Sequence, residues 1–281
     1  MNVLSLFDGM SCGQIALNRI GLKYDNYFAS EVDKYAIQIT QKNFPNTIQL
    51  GDVTKINLSD LPQIDLLIGG SPCTGFSFAG KGLNFEDPQS KLFFNFVNVL
   101  NKLKPKYFLL ENVLMKKEHQ NIITEYMGVE PNAINSSLVS AQNRPRLYWT
   151  NIPNVTQPND LNLKLSDVLL SDEEVKEYPN LFLTEKAIGY MSRLRNNKPR
   201  WEYHTNPLNG KAACLTANMY KGVPYGVIKE KMRKLHPIEC ERLQTVDDNY
   251  TKGVSNTQRY KMLGNGWTIN VITHILKNVK Q

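Results

Sequence analysis

The sequence predicts an α/β fold, a parallel sheet flanked by helices, with a smaller lobe of different texture. Three observations point there. In the first half, short apolar runs alternate with helix-like stretches, the pattern of successive βαβ units. Glycines and acids sit just past the ends of the apolar runs, where open α/β sheets bind ligands. From about Thr150 the alternation fades and Asn, Pro, Lys and Glu become common, marking a separate lobe that ends near Gly226.

The elements follow in order. Met1–Phe7 reads as a strand, Asp8–Gly13 as a glycine-bearing turn and Gln14–Ile20 as an amphipathic helix. Tyr27–Ser30 is a second short strand ending at Glu31, and Asp33–Phe44 is a helix. Asp52, in Gly51-Asp52-Val53, is expected to end the third strand. Ile64–Ile68 (IDLLI) is a buried strand closed by Gly69 and Gly70. Leu92–Leu103 reads as a helix, and Tyr107–Leu110 as a strand ending at Glu111. The interval from Glu111 to Gln142 is short, so its crossover helix must be small. Arg144 and Arg146 are expected at i and i+2 of one strand, on the same face, ahead of the apolar Leu147–Trp149. Lys231–Gln244 reads as helical, and the tail Arg259–Lys280 as an apolar helix after Gly264-Asn265-Gly266. There is no internal repeat and no low-complexity tract.

Composition narrows the class. Hydrophobic residues are 41% of the 281, enough for a packed core rather than a disordered chain. No apolar run approaches the ~18 residues of a membrane span. The start, MNVLSLFDGM, lacks a basic n-region and carries Asp8, so it does not read as a secretory signal, and a cytoplasmic protein is expected. Cys12, Cys73, Cys214 and Cys240 form no C-x-x-C pair, which argues against a zinc site or a disulfide framework. The formal net charge of +7 suits a polyanionic partner such as nucleic acid, though many soluble proteins are basic.

Several short segments carry chemistry. Phe7-Asp8-Gly9-Met10-Ser11-Cys12-Gly13 follows a strand and opens a helix, so backbone amides and a helix N-terminus can face a ligand. It is equally readable as an ordinary tight turn, and it is not the dinucleotide fingerprint G-x-G-x-x-G. An acid placed like Glu31 can accept from ribose hydroxyls, and Asp52 can accept from an adenine amino group. In Gly70-Ser71-Pro72-Cys73-Thr74-Gly75-Phe76-Ser77, a cysteine directly after proline on a glycine-rich loop is not placed like a core cysteine. As a nucleophile it must be partly ionised, against a reference pKa of about 8.5; as a loop residue it is incidental. Glu111-Asn112-Val113 sets an acid where it can protonate or bind a ring nitrogen, or simply serve as a structural carboxylate. In Gln142-Asn143-Arg144-Pro145-Arg146 the arginines can grip phosphate or a pyrimidine carbonyl, or decorate a solvated face.

Taken in order, FDGMSCG, SEVDKYA, GDV, GGSPCTGFS, ENV, QNRPR and LGNGWTINV resemble the motifs of the DNA (cytosine-5) methyltransferase family over nearly the whole chain, excepting roughly residues 151–226. The family implies a Rossmann-like S-adenosylmethionine-dependent methyltransferase fold with a small target-recognition lobe. The catalytic, cofactor-binding domain would be residues 1–150 and 259–281, the target-recognition lobe 151–226, and a hinge block 227–258. Cys73 matches the nucleophile that attacks carbon 6 of cytosine, and Glu111 the acid at ring N3 and the exocyclic amine. Arg146 is expected to support the site and Arg144 to contact the base. Phe7, Gly9, Glu31, Asp52, Val53, Pro72, Leu92, Asn265, Gly266 and Trp267 match positions around S-adenosylmethionine; no metal is implied. The family flips the base out of duplex DNA. Phe76–Pro88 resembles the loop that closes over it, with Lys81 as a phosphate contact.

Length and texture resemble a bacterial or bacteriophage enzyme, while SAQNRPRLYWTN and the tail with Trp267 resemble the animal de novo DNA methyltransferases. Two departures stand out. Ser11-Cys12 replaces a frequent Gly-Gly pair, and Ala79 falls near a position where a polar side chain often fills the vacated base-pair space. In the lobe, Arg193, Arg195, Lys198, Arg200, Trp201, His204, Lys211 and Lys221 are groups of the kind that contact DNA, and such residues also decorate most polar lobes. Arg200, Lys211 and Lys221 are taken as DNA-binding candidates together with Lys81. Ala213–Asn218 resembles the family's small Leu-Thr element, and Arg233–Gln244 a block that organises the lobe, with His236 structural. The partners implied are double-stranded DNA and a cognate restriction endonuclease acting on the same site; no membrane is implied. A tRNA cytosine-5 methyltransferase would carry a Cys-Phe-Thr element that is not found here. A catalytically idle binding protein would be expected to lack Cys73 or Glu111. A nicotinamide oxidoreductase would need the missing dinucleotide fingerprint.

Overall fold

The computed structural model describes residues 1–71 and 88–280, without the side chains of 88–90, 203 and 204. Pro72, Cys73, Ala79, Lys81 and all of the loop Phe76–Pro88 but its final proline therefore lie outside the described residues, as does the side chain of His204.

In chain order the elements begin with β1 (Asn2–Leu6), α1 (Cys12–Arg19), β2 (Asn26–Ser30), α2 (Lys34–Asn43) and β3 (Ile48–Gln49). There follow β4 (Leu66–Gly70), α3 (Pro88–Leu103), β5 (Tyr107–Val113), α4 (Lys117–Met127), β6 (Asn132–Asn135) and β7 (Pro145–Thr150). The remainder is α5 (Asp172–Lys176), α6 (Glu185–Ser192), β8 (Leu194–Arg195), β9 (Lys198–Pro199), α7 (Trp201–His204), β10 (Val227–Ile228), β11 (Arg233–Lys234), α8 (Pro237–Leu243), α9 (Asn256–Asn265) and α10 (Ile269–Leu276).

Among the described residues, a seven-stranded sheet runs in the order β3-β2-β1-β4-β5-β7-β6. β1 pairs in parallel with both β2 and β4, so the chain changes winding direction there and the strand ends open a crevice. β7 runs antiparallel to β5. The sheet is buried by an apolar cluster that includes Leu4, Leu6, Leu67, Phe93, Phe96, Leu110 and Trp149. Burial on both faces explains why the strands read as continuous apolar runs rather than alternating ones.

Packing divides the chain into two compact units: residues 1–134, 145–157 and 271–281 in the first, and 135–144 and 158–270 in the second. The first holds the sheet. The second has its own small core of Met191, Trp201 and Val227.

The structure corrects several boundaries. Gly69 and Gly70 belong to β4 rather than closing it, and Glu111–Val113 belong to β5. Asp52 does not end β3. The chain turns at Gly51 in a left-handed conformation (φ 72°), and Asp52 caps a short 3-10 turn at Val53–Lys55. Arg144 precedes β7, which begins at Pro145; proline lacks the N–H of an interior strand residue and is tolerated at a strand start. Lys231–Gln244 is not one helix. Arg233–Lys234 pairs with Val227–Ile228 as a two-stranded ribbon, and α8 starts only at Pro237. Proline suits the first helical position and holds His236 before it in an extended conformation, so the helix cannot extend backwards. The tail carries two helices, α9 being already formed before Gly266.

Candidate functional site

The turn after β1 is built from left-handed residues: Phe7 (φ 58°), Gly9 (φ 59°) and Ser11 (φ 63°). Among the described residues, a β-carbon on Gly9 would meet nothing within 4 Å, so the backbone there is open. The Gly9 N–H donates to Glu31 Oε2 at 2.7 Å. Glu31 Oε1 accepts from the Val32 and Asp33 amides at 2.7 and 2.8 Å. The carboxylate at the end of β2 thus locks the first turn against the second. Three of its roughly four acceptor sites are used, leaving one for a hydroxyl. Asp52 Oδ1 accepts from the amide and hydroxyl of Thr54, and these bonds hold its pKa below the usual carboxylate range. Val53 is buried in the sheet's apolar cluster, and Leu92 of α3 packs against that cluster.

Beneath this turn lies a group that the sequence reading passed over. Asp8 is buried, and its Oδ1 accepts from the Tyr27 hydroxyl at 2.8 Å. Among the described residues its Oδ2 has no hydrogen-bond partner. Burial pushes its pKa up to about 6, against the hydroxyls of Ser5, Tyr27 and Ser11 and helped by the charge of Glu31. A buried acceptor without a donor costs free energy unless a ligand or water completes it. The signal was visible as an acid inside a glycine turn.

At the far end of β5, Glu111 is 9% exposed and Arg146 donates to its Oε1 through Nε at 2.9 Å. The register explains the meeting. Arg146 lies opposite Val113, two residues from Glu111 and on the same face. A carboxylate beside a guanidinium offers acceptor and donor side by side, the complement of a cytosine edge that presents an amine and a carbonyl. Asn112, also buried, donates from Nδ2 to Ser71 Oγ at 3.2 Å. It fixes the residue from which the segment containing Cys73 departs. Asn112 was not singled out in the sequence, although it directly follows the acid.

In the second unit Arg144 is 3% exposed. Its Nη1 donates to the Leu215 carbonyl at 2.8 Å, and its Nη2 to those of Gly264 and Gly266 at 3.1 and 2.8 Å. The same Nη1 reaches Cys214 Sγ at 3.2 Å. Gln142 donates to the Leu243 carbonyl at 2.6 Å and to Gln244 Oε1 at 2.9 Å. Three sequence segments, QNRPR, CLT and LGNG, therefore meet on side-chain bonds to main chain. Gln244, the last residue of the block Arg233–Gln244, closes the set by donating to Leu263 O and Gly266 O. Asn265 is exposed, and Gly266 and Trp267 are half-buried, just after α9. His236 caps α8 by accepting from the Ile238 amide, and burial lowers its pKa to about 4. Buried pairs Arg233–Glu239 (2.7 Å) and Arg259–Glu241 (3.0 Å) brace the same helix.

The basic residues of this unit differ in availability. Lys211 donates to the Ser137 and Ser140 carbonyls at 2.6 and 3.1 Å, so its ammonium is engaged within the unit. The Arg200 guanidinium stacks over Tyr190 at 4.7 Å, and Lys221 lies 6.0 Å from the Tyr220 ring. No helix among the described residues is long and apolar enough to cross a membrane.

Comparison with known proteins gives this geometry its context. The sequence profile of C-5 cytosine-specific DNA methylases matches residues 1–223 and 170–281. The chain is 29% identical to the Type II methyltransferase M.HhaI of Haemophilus parahaemolyticus, over 99% of this chain and 94% of that one. It is 30% identical to the orphan methyltransferase M.Rho11sI of Bacillus phage rho11s, over 95% of this chain and 53% of that one. The S. pombe Dnmt2 methyltransferase shares the fold, with a TM-score of 0.77 at 17% identity over 99% of this chain and 97% of that one. The expected Rossmann-like methyltransferase fold is therefore the observed one, and the chain belongs to the C-5 cytosine-specific DNA methylase family.

Proposed function

We propose that the chain methylates cytosine in double-stranded DNA by covalent cysteine catalysis on a flipped base, with S-adenosylmethionine as donor. The described residues suit that donor. Among the described residues, Gly9 offers open backbone, Glu31 keeps an acceptor site for a ribose hydroxyl, and buried Asp8 Oδ2 lacks a donor. When bound, S-adenosylmethionine supplies an electrophilic methyl group on a sulfonium. Phe7, Val53 and Leu92 contribute apolar surface and Asp52 an acceptor; the roles of Pro72, Asn265, Gly266 and Trp267 rest on the resemblance alone.

In the reaction the Cys73 thiolate adds to carbon 6 and the ring electrons move to carbon 5. Glu111 holds or supplies the proton at N3, so that no full charge builds on the ring. Carbon 5 then accepts the methyl group. Loss of the carbon 5 proton to a base and expulsion of the Cys73 sulfur restore the aromatic ring. The observation that carries this assignment is the Glu111–Arg146 pair at 2.9 Å, beside the Asn112–Ser71 tether. Because the Arg144 guanidinium is spent on carbonyls, the bonding favours Arg146 as the base-side arginine and Arg144 as the support. For DNA, Arg200, Lys221 and Lys81 are the better candidates than Lys211. The proposed setting is the cytoplasm of a bacterial or phage-infected cell, with an endonuclease of the same target as functional partner.

The test is methyl transfer from labelled S-adenosylmethionine to unmethylated duplex DNA, with bisulfite mapping, wild type beside Cys73→Ala and Arg146→Ala. Carbon 5 methylation at a fixed motif, lost in both variants, is the expected result. Label appearing in tRNA and not in DNA would overturn the substrate.

A further inference from the structure

Between Arg193 and Lys221 the sequence carries six basic side chains and a single acid, Glu202. Four of the six lie on or beside one feature, the hairpin of β8 and β9. Its turn is Asn196–Asn197, both left-handed (φ 51° and 61°), the tight two-residue form whose twist matches the strands. Asparagine is among the few non-glycine residues that accept this backbone. Residues 192–198 are all exposed. Arg195 stands directly opposite Lys198 across the ribbon, where like charges are unfavourable. The exposed contact of Lys198 with Glu202 at 3.3 Å does little to offset this. Leu194 is 65% exposed. The exposed turn thus gathers two amides, two facing cations and a bare leucine at one tip.

The base of the hairpin is fixed where the tip is free. Trp201 is buried in the small core and donates from Nε1 to Ser192 Oγ at 3.2 Å. The Arg200 amide donates to Arg193 O at 3.2 Å, and its guanidinium lies on the Tyr190 ring. The tip therefore projects from an anchored stem, the arrangement of a probe.

A two-stranded ribbon fits the major groove of B-DNA, roughly 12 Å wide, and an asparagine amide can pair with both adenine N6 and N7 there. We propose that the β8–β9 hairpin enters the major groove and sets part of the target sequence. Asn196 and Asn197 present their amides to base edges, Arg195 and Lys198 hold flanking phosphates, and Leu194 is placed to meet a thymine methyl. This deepens the proposed reading of residues 151–226 as the DNA-facing lobe and rests on it.

The experiment compares wild type, Arg195→Ala/Lys198→Ala and Asn196→Gly/Asn197→Gly. Glycine tolerates the left-handed turn, so the second double variant removes the amides and keeps the ribbon; thermal melting of each variant at the wild-type temperature verifies the fold. DNA affinity against salt and bisulfite maps of methylated plasmid are the readouts. The cation variant should weaken binding to all sequences alike and flatten the log–log salt slope by about 1–2. The glycine variant should lose roughly 5- to 150-fold discrimination at one or two positions of the motif. Unchanged motif and slope in both variants would overturn the hairpin's role while leaving the lobe's. A wild type that methylates DNA with no sequence preference would overturn the lobe's reading itself.

Discussion

Glu111, in β5, and Asp8, in the turn after β1, are two buried carboxylates with different neighbours. Arg146 neutralises the first. Glu111→Gln keeps the shape but removes the proposed proton donor, and methyl transfer should fall about 100- to 10,000-fold while cofactor affinity holds. Single-turnover rates beside equilibrium cofactor binding measure this; equal loss in both would point to misfolding. Among the described residues no cation faces Asp8, and burial raises its pKa to about 6. The stability it confers is present below its unfolded value near 4 and is lost as pH rises through 6. Asp8→Asn escapes that loss. Relative to wild type it should gain about 1–3 kcal/mol between pH 4.5 and 7.5, read by denaturant melts. A pH-independent difference would contradict the burial argument. His236, lowered to about 4, acts oppositely: its neutral form supports folding above pH 6.5, and that support fades as pH falls through 4.

Among the elements, the sheet was legible in the sequence and its joints were not. Apolar runs announced β1, β2, β4 and β5 because both faces are buried. Two-residue strands such as β3 and β10 leave no periodicity to find. The break before Pro237 was written plainly, but the apolar positions of Lys231–Gln244 imitated a helix. The motif residues were readable by type, yet the divergent bonding of Arg144 and Arg146 was not, because it depends on Arg144 falling outside β7. Close packing of α9 is another fact invisible in one dimension. A β-carbon on Gly264 would lie 2.1 Å from the backbone of Thr216 and 2.3 Å from that of Ala217. Gly264→Ala should destabilise the second unit by about 1–3 kcal/mol or more. Hydrogen exchange localised to α9 and residues 214–219 would show it, and native protection there would refute it.

For the whole molecule, the assigned donor site and the charge of +7 make measurable demands. A ligand that binds only the folded chain stabilises it by about 2.7 kcal/mol at 100 times its Kd. S-adenosylhomocysteine, the demethylated product, should therefore raise the melting temperature by roughly 5–10 °C. No shift at millimolar ligand would remove the cofactor assignment. Arg144 has a different implication. Leu215, Gly264 and Gly266 meet it through carbonyl oxygens, which every amino acid carries. The brace thus grips main chain alone, and what it demands of side chains comes from packing, as at Gly264. Exposed residues elsewhere in the second unit can therefore be exchanged without loosening that brace.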